Sequence, residues 1–198
     1  MSDEHPLTRG VDFLFILAIF YALIQSTQLH SWQGLILWLA LFLIILNEQL
    51  SVRSSYDVYN GPIYALDLFS LFLYVSALYA LTTPNNIYGY SPTYWLAIAF
   101  LWVSYALWDF VVLKQAYDEG ARKSLLRWSR YMLLCAPITL LSFLAIYWSE
   151  SYVSFLSFHF INMGGQVLGL LIILWVLYVW NKERLNRLKD FLMGRDGR

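Results

Sequence analysis

Charged residues are scarce in this chain. They make up 13% of its 198 residues, about half the share found in an ordinary soluble domain. Hydrophobic residues make up 60% and aromatic residues 19%, and the mean hydropathy is +0.55. So little charge is not enough to give a soluble domain its usual polar surface. The composition therefore predicts an integral membrane protein.

Cysteine and histidine are also rare. The one cysteine, Cys135, lies inside an apolar run, so it can form neither an intrachain disulfide nor a thiolate metal site. The three histidines show no HExxH spacing, and the chain holds no GxSxG serine motif, P-loop or glycine-rich dinucleotide turn. We therefore expect the protein to bind no metal and no other cofactor, and to have no enzymatic activity. An intramembrane enzyme stays an open alternative. The net charge of zero gives no support to nucleic-acid binding.

Long apolar runs occupy most of the sequence. A helix needs about 20 apolar residues to cross a hydrocarbon core, and unbroken length favours helices over the short alternating strands of a membrane barrel. The predicted fold is therefore all-α, a polytopic membrane protein with six transmembrane helices in one domain, 1–181, followed by a basic amphipathic tail, 182–198. The spans are expected at about 11–29, 32–48, 62–82, 94–113, 128–148 and 153–180.

Lysine and arginine are missing from alternate connections between the spans. All thirteen basic residues fall in the N-terminal segment, after the second span, between the end of the fourth span and the first turn of the fifth, and at the C-terminal end. Because cytoplasmic connections carry an excess of positive charge, both termini are predicted to be cytoplasmic. An odd number of spans would destroy this partition. The predicted location is a bacterial cytoplasmic (inner) membrane.

Four acidic residues lie within or at the ends of the apolar runs, all toward the predicted cytoplasmic side: Asp12, Glu48, Asp67 and Asp109. A charge at the bilayer centre costs about 2.5–3.5 kcal/mol on insertion scales, so such groups usually face partners or water. One interpretation is structural, with the acids paired to basic residues at the membrane boundary: Arg53, Lys114, Arg127 and Arg130. The other is a water-filled vestibule for cations or protons, with Asp67 and Asp109 as the leading titrating groups.

A second polar group lies in the outer half of the sixth span. It consists of His159, Asn162 and Gln166, whose spacings of three and four place them on one helical stripe. Gly164 lies in the same segment, and Gly165 and Gly169 form a GxxxG pair that lets another helix approach closely. We interpret the segment as a tight helix contact with interhelical hydrogen bonds, and contact with a ligand or ion is the alternative.

The C-terminal tail combines an apolar face with basic residues. Such a segment lies on an anionic leaflet or docks on a cytosolic protein. Two functions are compatible with the whole sequence. The first is a channel or transporter subunit, linked to cations or protons through the carboxylate cluster and expected to be a homo-oligomer in the lipid bilayer. The second is a non-catalytic scaffold or sensor subunit of a multiprotein complex, for example a bacterial defence or envelope system, that recruits a cytosolic partner.

Overall fold

Six helices form the part of the chain that the computed structural model describes, namely residues 6–29, 32–52, 61–82, 92–114, 119–152 and 155–192. The helices are α1 (Pro6–Ser26), α2 (Trp32–Val52), α3 (Gly61–Thr82), α4 (Pro92–Leu113), α5 (Glu119–Tyr152) and α6 (Phe155–Leu192). These described residues contain no strand, so the prediction of an all-α chain is confirmed.

Among the described residues, four segments are long and apolar enough to cross a membrane: Gly61–Thr82, Pro92–Leu113, Leu125–Trp148 and Phe160–Lys182. The apolar parts of α1 and α2 are shorter, Gly10–Ser26 and Gly34–Glu48, and rise only about 22–26 Å against a hydrocarbon core of about 30 Å. The fold is compatible with an integral membrane protein, whereas the count of six spans and the cytoplasmic termini stay predictions.

Large apolar side chains are exposed on every helix. Examples, one from each helix in order, are Phe13, Leu35, Phe72, Phe100, Leu134 and Phe160. Soluble monomers rarely expose apolar surface on this scale. The outer surface of the bundle therefore fits contact with lipid.

The last two helices extend beyond the predicted spans. The helix α5 begins at Glu119, nine residues before the expected start of the fifth span, and α6 continues to Leu192 across the predicted start of the tail. Hydropathy alone does not detect polar helical turns. In α5 the extra turns carry an ion pair one turn apart, Lys123 Nζ to Glu119 Oε1 at 3.1 Å, which supports helix formation.

The helix α4 lies at the centre of the bundle. It packs along α3 and α5, while α1 contacts α2 and α3, and α6 contacts α5 and α2. Trp95 and Trp102 of α4 are fully buried, and the indole Nε1 of Trp102 donates a hydrogen bond of 3.0 Å to Thr139 Oγ1 of α5. This central helix therefore places its side chains within reach of most of its neighbours.

Two hydrogen bonds fix one end of the bundle. The indole Nε1 of Trp38 in α2 donates to the carbonyl of Ala22 in α1 at 2.8 Å, and the Tyr94 hydroxyl of α4 donates to the carbonyl of Leu37 at 3.0 Å. The end of α1 thus lies beside the starts of α2 and α4. Glu48 follows Leu37 by eleven residues of α2, about 16 Å along the helix axis, so it lies toward the opposite end.

Candidate functional site

Glu48 forms the centre of a buried polar cluster. Its carboxylate is contributed by α2 and is 5% exposed. The Tyr105 hydroxyl of α4 donates a hydrogen bond of 2.5 Å to Glu48 Oε2, and the Tyr74 hydroxyl of α3 donates to the same oxygen. The two hydroxyl groups also lie within hydrogen-bonding distance of each other. One carboxylate oxygen therefore joins three helices.

A second buried carboxylate is contributed by α3. Asp67 is 1% exposed, and its charge contributes to the electrostatic environment of Glu48. One turn further along α3, the Ser70 hydroxyl forms a hydrogen bond of 2.9 Å with the Ser104 hydroxyl of α4. We call Glu48, Asp67, Tyr74 and Tyr105 the buried acid cluster, and the serine pair lies next to it in sequence on both helices.

The buried acid cluster places two acidic side chains, Glu48 and Asp67, in the interior of the helix bundle. Removing a carboxylate from water is costly, and in a medium of low dielectric constant two neighbouring negative charges repel strongly. Hydrogen bonds to a charged group contribute about 1.5–3 kcal/mol each, so the two tyrosine donors offset part of the cost at Glu48. A proton or a cation held at the pair would offset more.

The other two acids predicted for the site lie at its edge. Asp12 and Asp109 are half-buried, in contrast to Glu48 and Asp67. Asp109 follows Tyr105 by one turn of α4, and Asp12 precedes Phe15 by three residues in α1. The Phe15 ring meets the Tyr74 ring edge-on, with centroids 6.4 Å apart. Of the four predicted acids, two therefore belong to the buried acid cluster, and the other two lie on neighbouring helical turns.

Three of the predicted charge partners point outward. Lys114, Arg127 and Arg130 are exposed. Within the described residues none of these three has an ion pair with a carboxylate. Arg53, the fourth predicted partner, lies outside the described residues. Among the described residues, the hydrogen bonds to the Glu48 carboxylate come from tyrosine hydroxyls.

Aromatic rings connect the buried acid cluster to the helix surface. The Tyr105 ring meets the Trp180 ring of α6 edge-on, with centroids 5.6 Å apart. The ring centroids of Trp180 and Trp128 of α5 lie 6.3 Å apart. Tyr131 and Trp175 extend the same group of rings. These four aromatic residues, Trp128, Tyr131, Trp175 and Trp180, pack together between α5 and α6.

The polar stripe of α6 is partly internal. The Gln166 side chain donates a hydrogen bond of 2.6 Å from Nε2 to Asn162 Oδ1, and Asn162 is buried. The Nδ2 atom of Asn162 has no hydrogen-bond partner within the described part of the chain. The side chain of His159 lies outside the described residues. This stripe therefore holds a local amide pair.

The three glycines of α6 have different surroundings. A Cβ atom at Gly165 would lie 3.2 Å from the Ser142 carbonyl oxygen of α5, and one at Gly169 would collide with the buried Trp95 ring of α4. A Cβ atom at Gly164 would meet open space. Gly164 and Gly165 also help to line an apolar groove of about 470 Å³ between α5 and α6. The other lining residues are Leu141, Leu144, Ala145, Trp148 and Leu168.

Metal-binding groups do not converge. Within the described residues, no three histidine, cysteine, aspartate or glutamate side chains lie together in a way that could hold a metal ion. The single cysteine, Cys135, is a buried free thiol. The buried acid cluster offers two carboxylates and two phenols, a donor set suited to exchanging a proton or coordinating a small cation weakly.

The tyrosines and serines of this site were not predicted from the sequence. Tyr74 and Tyr105 each lie about eight residues from the nearest end of their helices. A buried tyrosine hydroxyl needs a hydrogen-bond partner, and the distance of these tyrosines from both helix ends is the signal in the sequence that points to such a contact.

Comparison of the chain with protein-family models, with curated proteins and with solved structures finds no match. The functional argument therefore depends on the geometry of the buried acid cluster.

Proposed function

We propose that this protein is a small channel or transporter subunit, linked to protons or cations, in which Glu48 and Asp67 form the exchange site. The observation that carries the proposal is the position of these two carboxylates, on different helices and almost fully buried. Ionisable groups inside membrane-spanning bundles usually mark ion or proton pathways. Two such buried groups are costly to retain for packing alone.

Exchange at this site follows from its electrostatics. Two negative charges in the interior of the helix bundle are stabilised when a proton or a small cation binds between them. Release of the proton or cation restores the repulsion between the two carboxylates. Binding and release are therefore coupled to a change in the forces between α2 and α3. Tyr74 and Tyr105 hold the Glu48 carboxylate in one orientation in this conformation.

A layer of apolar side chains separates the buried acid cluster from the other end of the bundle. Leu41 and Ile44 of α2, Leu78 of α3, and Ile98 and Leu101 of α4 are all fully buried. Those of α2 and α4 lie along their helices between the Tyr94–Leu37 hydrogen bond and the Glu48–Tyr105 hydrogen bond, and Leu78 follows Tyr74 by one turn of α3. In this conformation the layer closes the site on that side, so transport requires the layer to open.

Flux measurements test the proposal. In proteoliposomes, Glu48→Gln and Asp67→Asn should change the proton or cation flux, or its dependence on pH, while the purified variants keep the helix content of the wild type. Glu119→Gln, which removes a carboxylate from the exposed start of α5, is the matched control and should leave the flux unchanged. Wild-type flux in both cluster variants would contradict the proposal.

Oligomeric state belongs to the same proposal. Six helices with short connections rarely enclose a gated path alone, so we expect a homo-oligomer. The mass of the purified protein, measured by light scattering with the detergent contribution subtracted, should exceed one chain. A monomer that still supports flux would contradict this expectation.

The extension of α6 favours a second function, a scaffold or sensor subunit. The helix continues for ten residues beyond the membrane-spanning segment, from Lys182 to Leu192, which is more than a lipid anchor requires. This function predicts that removing residues 183–198 releases a cytosolic protein that co-purifies with the intact chain. If the intact chain purifies alone, this function is not supported.

A further inference from the structure

Basic side chains cover one face of α5 where the helix enters the membrane-spanning segment. Arg122, Lys123, Arg127 and Arg130 are all exposed, and at 100° per residue they fall within about 140° of the helix circumference. The membrane-spanning part of α5 begins at Leu125. The four side chains therefore extend from outside the membrane to just below its surface, and we call them the basic face of α5.

Much of this charge is not balanced by described protein carboxylates. Lys123 pairs with Glu119 at 3.1 Å. Within the described residues, Arg127 and Arg130 have no ion pair. They lie three residues apart on the helix, so their guanidinium groups are neighbours of like charge. An external anion between them would remove that repulsion.

The same face of α5 becomes apolar one turn deeper. Leu133, Leu134 and Leu141 are exposed and fall within the sector occupied by the four basic residues. Beside the basic residues, Trp128 packs against Trp180 of α6, so the site rests on two helices held together by aromatic rings. The surface therefore presents cations at the level of lipid headgroups and exposed hydrocarbon directly below them.

We propose that the basic face of α5 binds the phosphate group of an anionic phospholipid, whose acyl chain lies along Leu133, Leu134 and Leu141. Arginine binds phosphate through paired N–H donors, and its long stem lets the charge reach the headgroup level from just below the surface. A soluble anion would gain only the charge interaction. A phospholipid also gains the apolar contact, and this difference identifies the occupant.

Lipid titration of the purified full-length protein tests this inference. Phosphatidylglycerol should raise the melting temperature of the wild type more than phosphatidylcholine, and the rise should shrink at high salt because the interaction is electrostatic. Each cation near a lipid surface is worth about fivefold in affinity, so R127Q/R130Q should weaken apparent phosphatidylglycerol binding by about 25-fold. Inorganic phosphate at the same concentration should give no comparable rise.

The matched control is K114Q/K182Q, which removes two exposed lysines, one just after α4 and one in α6, and should lose less of the response than R127Q/R130Q because lysine lacks the paired N–H donors. R127K/R130K retains the charge but not the paired N–H donors, and should bind with intermediate affinity even if R127Q/R130Q fails to fold. Equal responses to both lipids, or an equal loss in the lysine control, would overturn the inference. A response to phosphate alone would identify a free-anion site instead. The outcome is independent of ion flux, so it distinguishes this inference from the proposed function.

Discussion

The Tyr105 hydroxyl lies 2.5 Å from Glu48 Oε2 and so joins α4 to α2 across 57 residues of sequence. The same oxygen accepts a hydrogen bond from Tyr74 of α3. A single carboxylate therefore fixes the relative positions of three helices at one end of the bundle. If Glu48 changes its charge, both hydrogen bonds change with it.

Removing the Tyr105 hydroxyl should destabilise the protein. Tyr105→Phe leaves the buried Glu48 carboxylate with one donor fewer, and losing a hydrogen bond to a charged group costs about 1.5–3 kcal/mol. Unfolding in denaturing detergent should show this loss of free energy. The control is Tyr178→Phe, an exposed tyrosine of α6, which should have almost no effect. Equal stability of the two variants would show that the hydrogen bond to Glu48 contributes nothing.

Substitution by alanine should have different effects on stability at two glycines of α6. A Cβ atom at Gly169 would collide with Trp95, which is fully buried and cannot move aside, so Gly169→Ala should cost about 1–3 kcal/mol through overpacking. Gly164→Ala adds the same methyl group into open space and should leave the melting temperature almost unchanged. If both variants melt at the wild-type temperature, then α4 and α6 do not approach each other this closely.

The contact between Trp102 and Thr139 should depend on the threonine hydroxyl. Thr139→Val keeps the shape of the side chain but leaves the buried Trp102 Nε1 without its acceptor, at a cost of about 1–3 kcal/mol. Thr139→Ser retains an acceptor and should recover much of that free energy. Thermal unfolding of the three proteins is the measurement, and the expected order is wild type, serine variant, valine variant. A valine variant as stable as the serine variant would contradict the contact.

Six spans require both termini on the same side of the membrane. In a Cys135→Ser background, single cysteines at Asp3 and Arg198 should be protected from a membrane-impermeant thiol reagent added outside the cell, whereas one at Asn86 should react. The distribution of lysine and arginine gives this expectation. Labelling of only one terminus from outside would mean an odd number of spans.

The helical fold followed from sequence because apolar length is a local property. Runs such as residues 62–82 and 94–113 match α3 and α4 closely, since any helix crossing a bilayer must be long and uncharged throughout. The polar turns at the start of α5 were not predicted as part of that helix, whereas the end of α6 falls in the predicted amphipathic tail. Polar helices have no hydropathy signal, and their formation depends on ion pairs and on continuation from an existing helix.

The buried acid cluster was predicted in part. The sequence by itself determined that Glu48 and Asp67 lie toward one end of the bundle, because depth along a helix follows from counting residues. Only the tertiary structure decided that these two acids are almost fully buried, that Asp12 and Asp109 are half-buried, and that Tyr74 and Tyr105 supply the hydrogen bonds. The physical reason is that contact between helices depends on their rotation and packing partners, which arise from many side chains acting together.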